Sequence, residues 1–216
     1  MKRIIIICEG ETEQEFCKSV LVKHFISLQI EIQRPLIKKT SGGIVAWENL
    51  RIQIEKHLKE DNTAFVTTLI DFYGINLKHK FPEWLEAEKI FDKIRRLDFI
   101  EERMKLDINK NLNWRFIPYI QLHEFEGLLF NDITFFHLPK TDFNNFDKLK
   151  QIIESNPNPE LINDSPETAP SKQLQNLIKG YNKVVYGAEI AEAIGIERIR
   201  AKAPRFNNWI ITLENL

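Results

Sequence analysis

Three stretches of the chain are apolar and rich in β-branched residues, and each runs into acidic side chains. Ile4-Ile5-Ile6-Ile7-Cys8 leads to Glu9-Gly10-Glu11-Thr12-Glu13. Phe65-Val66-Thr67-Thr68-Leu69-Ile70 leads to Asp71, and Phe116-Ile117-Pro118-Tyr119-Ile120-Gln121-Leu122 leads to His123-Glu124-Phe125-Glu126. Continuous apolar runs of this length suit strands buried on both faces, as in a parallel sheet. The segments between them have a helical period. Phe16, Val20, Leu21, Phe25 and Leu28 predict a helix over 13–28, opened by a capping box of Thr12 with Glu15. Ile44, Trp47, Leu50, Ile54 and Leu58 predict another over 44–60, and a charged helical pattern extends from about 83 to 106, with Pro82 at its start. Strict alternation from Ile30 to Gln33 reads as a strand, placed at a sheet edge by Pro35. Strands alternating with helices imply an α/β fold with a mostly parallel central sheet flanked by helices.

Beyond about residue 131 the character changes. Asn and Pro are frequent from 139 to 170, a short helix is predicted over 146–154, and Asn156-Pro157-Asn158-Pro159-Glu160 ends it. The turn-rich stretch 163–172 has little apolar content. Helices follow over about 171–178, 184–194 and 204–215. The expected organisation is a core over 1–130 and a mainly helical C-terminal part over 131–216 packed on it.

The chemistry sits at the strand ends. In open α/β sheets ligands collect outside the carboxyl ends of the strands. Glu9 and Asp71 are expected on that rim, with Glu13 in the first helical turn. Carboxylates crowded at one rim repel unless a cation lies among them, and a hard divalent ion such as Mg²⁺ takes oxygen ligands of this kind. Of the third strand's two carboxylates, Glu124 is the expected site member; Glu126, two positions on, would not share its helical face. His123 suits a hydrogen-bonding role better than ligation of Mg²⁺. Lys38-Lys39-Thr40-Ser41-Gly42-Gly43 could bring backbone N–H groups to a phosphate. Ser171-Lys172 at a helix start could hold a phosphate oxygen, and Lys183, Arg198, Arg200, Lys202 and Arg205 make the C-terminal end locally basic.

Composition narrows the classes. The chain has 216 residues, 43% of them hydrophobic, enough for a proper core. A formal net charge of −1 gives no global basic field to advertise nucleic acid. Two cysteines, Cys8 and Cys17, make no disulfide framework and point to a reducing cytoplasm. Met1-Lys2-Arg3 and four isoleucines are too short and too soon acidic for a signal peptide, and no apolar run approaches a membrane span. No phosphate-binding P-loop spacing and no Cys/His zinc pattern occur.

Five segments, Glu9-Gly10-Glu11-Thr12-Glu13, Asp71-Phe72-Tyr73-Gly74, Gln121-Leu122-His123-Glu124-Phe125-Glu126-Gly127-Leu128-Leu129-Phe130, Pro170-Ser171-Lys172 and Ile199 to Trp209, together resemble a bacterial Toprim-like family of unknown function (domain of unknown function 4276). The family is related to the Toprim domain of overcoming-lysogenization-defect nucleases. The resemblance implies a Toprim-like core and Mg²⁺ (or Mn²⁺) held by Glu9, Glu13 and Asp71 for phosphoryl transfer. It also implies a Mg²⁺-dependent nuclease acting on DNA or RNA, with an ABC-type ATPase as partner in phage defence. Tyr73 departs from that pattern, standing where the second Asp of an Asp-x-Asp is expected. Either Glu124 or Glu126 supplies the lost oxygen, or metal binding is weakened and the chain serves as a non-catalytic interaction subunit of an ATPase complex. Lys172, Arg200 and Lys202 are the expected phosphate-binding cations.

Overall fold

The computed structural model describes residues 2–38, 43–136, 145–163 and 168–216. They form two compact units, Met1–Gln14 with Phe25–Leu122, and Glu15–His24 with His123–Leu216. No described helix is long and apolar enough to cross a membrane.

The first unit is an α/β layer structure around a parallel sheet. β1 (Lys2–Cys8) is buried from Ile4 onward, as its run of isoleucines requires. It pairs in parallel with β2 (Ile30–Gln33) on one side and with β3 (Phe65–Asp71) on the other. β2 is the edge strand, and Pro35 is accommodated there. The Cys8 N–H donates to the Pro35 carbonyl at 2.9 Å and Ile37 N–H returns to the Cys8 carbonyl at 3.0 Å, so the ladder runs past the missing donor. β3 also pairs in parallel with β4 (Phe116–Ile117) and β5 (Ile120–Gln121), giving a five-stranded sheet of order β2-β1-β3-β4 with β5 on β3.

The sequence predicts one strand over 115–122; the structure has two short ones. Pro118 brings no N–H to the ladder, and Thr68 fills the gap. Its hydroxyl donates to the Tyr119 carbonyl at 2.8 Å and accepts the Tyr119 N–H at 3.1 Å.

Between β1 and β2 run α1 (Glu11–Phe16), a π-helical turn Cys17–Leu21, and α2 (Val22–Ser27). The helix start differs from the predicted Thr12–Glu15 box. Glu13 instead reaches back to the Gly10 N–H at 2.8 Å, while Glu15 pairs with Lys18. α3 (Trp47–Glu60) carries Trp47, Leu50, Ile54 and Leu58 into the core formed with Ile5, Ile7, Val66 and Ile70. The predicted helix over 83–106 is broken into α4 (Trp84–Ala87) and α5 (Lys93–Asp107). Asp92 explains the restart: its carboxylate accepts the Arg95 N–H at 2.8 Å as an N-cap. Phe91, in the connection between the two, is 97% exposed.

Beneath α3 lies Arg115, 4% exposed, which sequence reading passed over. Its guanidinium donates to the carbonyls of Leu58 (2.7 Å), Asp61 (2.9 Å) and Ala64 (2.7 Å), capping the helix end and the turn into β3.

The second unit is helical: α6 (Phe146–Ser155), α7 (Pro170–Leu177), α8 (Lys183–Ile194), α9 (Ile196–Lys202) and α10 (Pro204–Glu214). α9 is additional to the predicted set, set off from α8 by Gly195 at φ +79°. This unit takes in residues 15–24 as well as 123–216, a grouping different from the expected division at 130. Phe16 shows why, with its ring centroid 4.7 Å from that of Phe125 and 5.9 Å from that of Phe206.

Candidate functional site

The chain leaves β1 towards β2 and later returns to β1's other side as β3. The sheet order therefore reverses between β1 and β3, and the crevice at their carboxyl ends is the topological switch point of an open α/β sheet. Glu9 and Asp71 stand there. Glu9 directly follows β1, with its N–H still bonded to the Leu69 carbonyl at 3.0 Å. Its side chain crosses to β3, where Oε2 accepts the Asp71 N–H at 2.9 Å. Its Oε1 faces Gly74, where a Cβ would come within 3.9 Å of it. Glu13, 4% exposed, is fixed by the Gly10 N–H. A Cβ on Gly10 would sit 3.3 Å from Glu13 Oε2, tight enough to disturb that bond. Glu9, Glu13 and Asp71 thus belong to one unit, and an amide bond ties Glu9 to the end of Asp71's strand. Tyr73, 46% exposed, brings no carboxylate to this rim.

The carboxylate oxygens of Glu9, Glu13 and Asp71 are of the kind a hard divalent ion takes. Among the described residues no group of three or more His, Cys, Asp or Glu side chains is arranged to hold a metal ion. Mg²⁺ is commonly held by one or two protein carboxylates, with water or phosphate oxygens completing its shell.

Glu124, Glu126, Lys172, Arg200 and Lys202 lie in the second unit. Glu124 is a helix cap: Oε2 accepts the Ser171 N–H at 2.9 Å and Oε1 accepts the Ser171 hydroxyl at 3.0 Å, in the first turn of α7. This joins two of the sequence segments through a hydrogen-bonded pair. Glu126, 1% exposed, has Lys183 Nζ at 3.9 Å from Oε1. The charges of Glu126 and Glu124 add to burial in pushing the Tyr181 phenol far up. Arg200 forms a two-pronged pair with Glu214, at 2.6 and 3.1 Å, and reaches Asn207 at 2.8 Å. Lys202 donates to the Asn131 carbonyl at 2.5 Å. Both are structural ties. Lys172 is exposed, with Nζ 3.3 Å from Gln175 Oε1. Arg198 lies over the Phe135 ring at 5.1 Å.

In the sequence Glu160 is only the last residue of the stretch that ends the short helix. It is 1% exposed, and its two oxygens accept the N–H groups of Arg205 (2.9 Å) and Phe206 (3.1 Å) at the start of α10. Burial raises its pKa against the pull of those amides. No local sequence signal pairs it with residues 45 and 46 positions on. Of the basic glycine loop, 39–42 lies outside the described residues, as do 164–167 of the turn-rich stretch.

A family model described as "Domain of unknown function (DUF4276)" matches residues 8–214, and the chain belongs to that family. No curated protein and no solved structure matches it.

Proposed function

We propose that this DUF4276 member is a Mg²⁺-dependent nuclease of Toprim type, hydrolysing phosphodiester bonds of DNA or RNA. The observation that carries the reading is the Asp71 N–H···Glu9 bond at the switch point, which ties two strand-end acids together at 2.9 Å. Glu9 and Asp71 would hold the ion, with Glu13 beside them. The bound ion would supply charge neutralisation at the scissile phosphate and a more acidic water. The chain's own contribution is orientation. The Asp71 amide fixes the Glu9 rotamer, the Gly10 amide fixes Glu13, and Gly74 leaves the space beside Glu9 Oε1 unfilled. Among the described residues, the Lys172 ammonium is tied to no carboxylate or backbone carbonyl, unlike the side chains of Arg200 and Lys202.

A second reading, a non-catalytic subunit docking on an ABC-type ATPase, draws support from Tyr73 in place of a second Asp. Purified protein incubated with plasmid DNA and with RNA in Mg²⁺ or Mn²⁺ separates them. Cleavage that is lost in Glu9→Gln and Asp71→Asn supports the nuclease. Cleavage equal in wild type and both variants, or no cleavage together with no calorimetric uptake of Mg²⁺ or Mn²⁺, overturns it.

A further inference from the structure

Within the first unit a cleft of about 450 Å³ opens where α3 begins. Trp47, Arg51, Lys78, Lys80 and Asp107 line it, with Ala46 and Glu48. Asp107 is already engaged. Its Oδ2 accepts the Trp47 indole N–H at 2.7 Å and lies 3.6 Å from Arg51 Nε. That leaves Lys78 and Lys80, both exposed, without an ion pair among the described residues, against Glu48 alone. Among the described residues no side chain caps the first turn of α3, so the helix end adds positive potential to the cleft.

The lysines are presented by a built turn. Asn76 Oδ1 accepts the Lys78 N–H at 3.2 Å, and His79 Nδ1 accepts the Asn76 N–H at 3.1 Å. Lys80 is left-handed at φ +53°, a conformation glycine adopts more cheaply. The same short segment begins at Asp71 and carries Tyr73, a ring 46% exposed two residues past that acid. Gly74 connects the two places: a Cβ there would lie 3.5 Å from Ile44, just before α3, and 3.9 Å from Glu9. An exposed aromatic ring at Tyr73 and exposed cations at Lys78 and Lys80 lie on one segment; proteins hold unpaired strands by such means, bases stacking on rings and phosphates following cations.

We propose that the substrate of the strand-end site is a single-stranded nucleic acid, its phosphates seated in the Lys78–Lys80–Arg51 cleft and a base stacked on Tyr73. The inference rests on the nuclease reading and adds its substrate class. A duplex has its bases paired inside and gives Tyr73 no face to stack on.

The test is binding of the full chain to fluorescein-labelled 12-nucleotide DNA and RNA strands and their duplexes, read by anisotropy in EDTA, where cleavage is silent. Single strands should bind more tightly than duplex. Tyr73→Ala should weaken single-strand binding about 5- to 100-fold, and Tyr73→Phe should restore it. Lys78→Gln with Lys80→Gln should flatten the plot of log K against log salt by about 0.7 per lysine. Equal binding by wild type and all variants, or a preference for duplex, overturns the proposal even where metal-dependent cleavage stands. Intact binding with cleavage unaffected by Glu9→Gln would instead remove the nuclease reading and leave the binding surface.

Discussion

The carboxylate of Glu9 reaches across from one strand to the backbone N–H of Asp71 on the next, at 2.9 Å. The bond needs an acceptor oxygen, not a charge, whereas ligation of a divalent ion needs the charge. Glu9→Gln should therefore leave the melting temperature nearly unchanged while lowering metal-dependent cleavage on the order of 100-fold or more, the scale of losing one preorganised electrostatic group. Thermal denaturation and an initial-rate assay on one preparation check this.

Thr68 substitutes for a rung of the ladder beside Pro118. Thr68→Val would orphan the N–H and the carbonyl of Tyr119, which is 2% exposed, and should cost about 2 to 4 kcal/mol. Thr68→Ser keeps the hydroxyl and should stay within about 1 kcal/mol of wild type. Urea unfolding measures both.

Arg115 spans three carbonyls from within the first unit. Arg115→Met should destabilise by roughly 3 to 5 kcal/mol, because buried acceptors lose a charged donor. Arg115→Lys should recover little, since a compact ammonium cannot span the fork's three positions.

His79 is held below the ordinary histidine range by burial and then by the Lys78 charge. Its folded pKa lies below the unfolded 6.5, so the unfolded chain takes the proton first. The stability it contributes is present above pH 6.5 and is lost as pH falls from there through the folded value. His57, also lowered by burial, acts in the same direction. His79→Gln should thus shrink, not abolish, the loss of stability between pH 7 and 5, as followed by urea midpoints at stepped pH.

Glu124 caps α7 through Ser171. Glu124→Ala should cost about 1 to 2 kcal/mol, within the span of lost N-caps. Hydrogen exchange should locate the loosening at 171–174. A cleavage defect in Glu124→Ala without that loosening would return Glu124 to the chemistry.

The parts legible in the sequence were those whose burial is local. The isoleucines of β1 and the run ending at Asp71 announce buried parallel strands, and the acids after them announce the rim. What escaped was settled by distant partners. A glutamate that follows a strand reads the same whether it turns to a cation or to the amide of a serine 47 residues away, as Glu124 does. Ile90 and Phe91 keep a helical period, but Asp92 starts a new helix and leaves Phe91 in water. Pro118 was visible, yet only the facing hydroxyl of Thr68 explains how the strand survives it in two pieces.

The helix caps made by Glu13, Glu124 and Glu160 also bear on how a mutational scan of this chain would be understood. Exchanging acids for amides is the customary hunt for metal ligands, and here a loss of function would have two unrelated origins. At Glu160 the exchange would convert an acceptor of two amides into a mixed donor and acceptor, so the protein would vanish from the soluble fraction and mimic a dead enzyme. Ranking the acids of this family by phenotype is meaningful only after dividing each activity by the amount of folded chain.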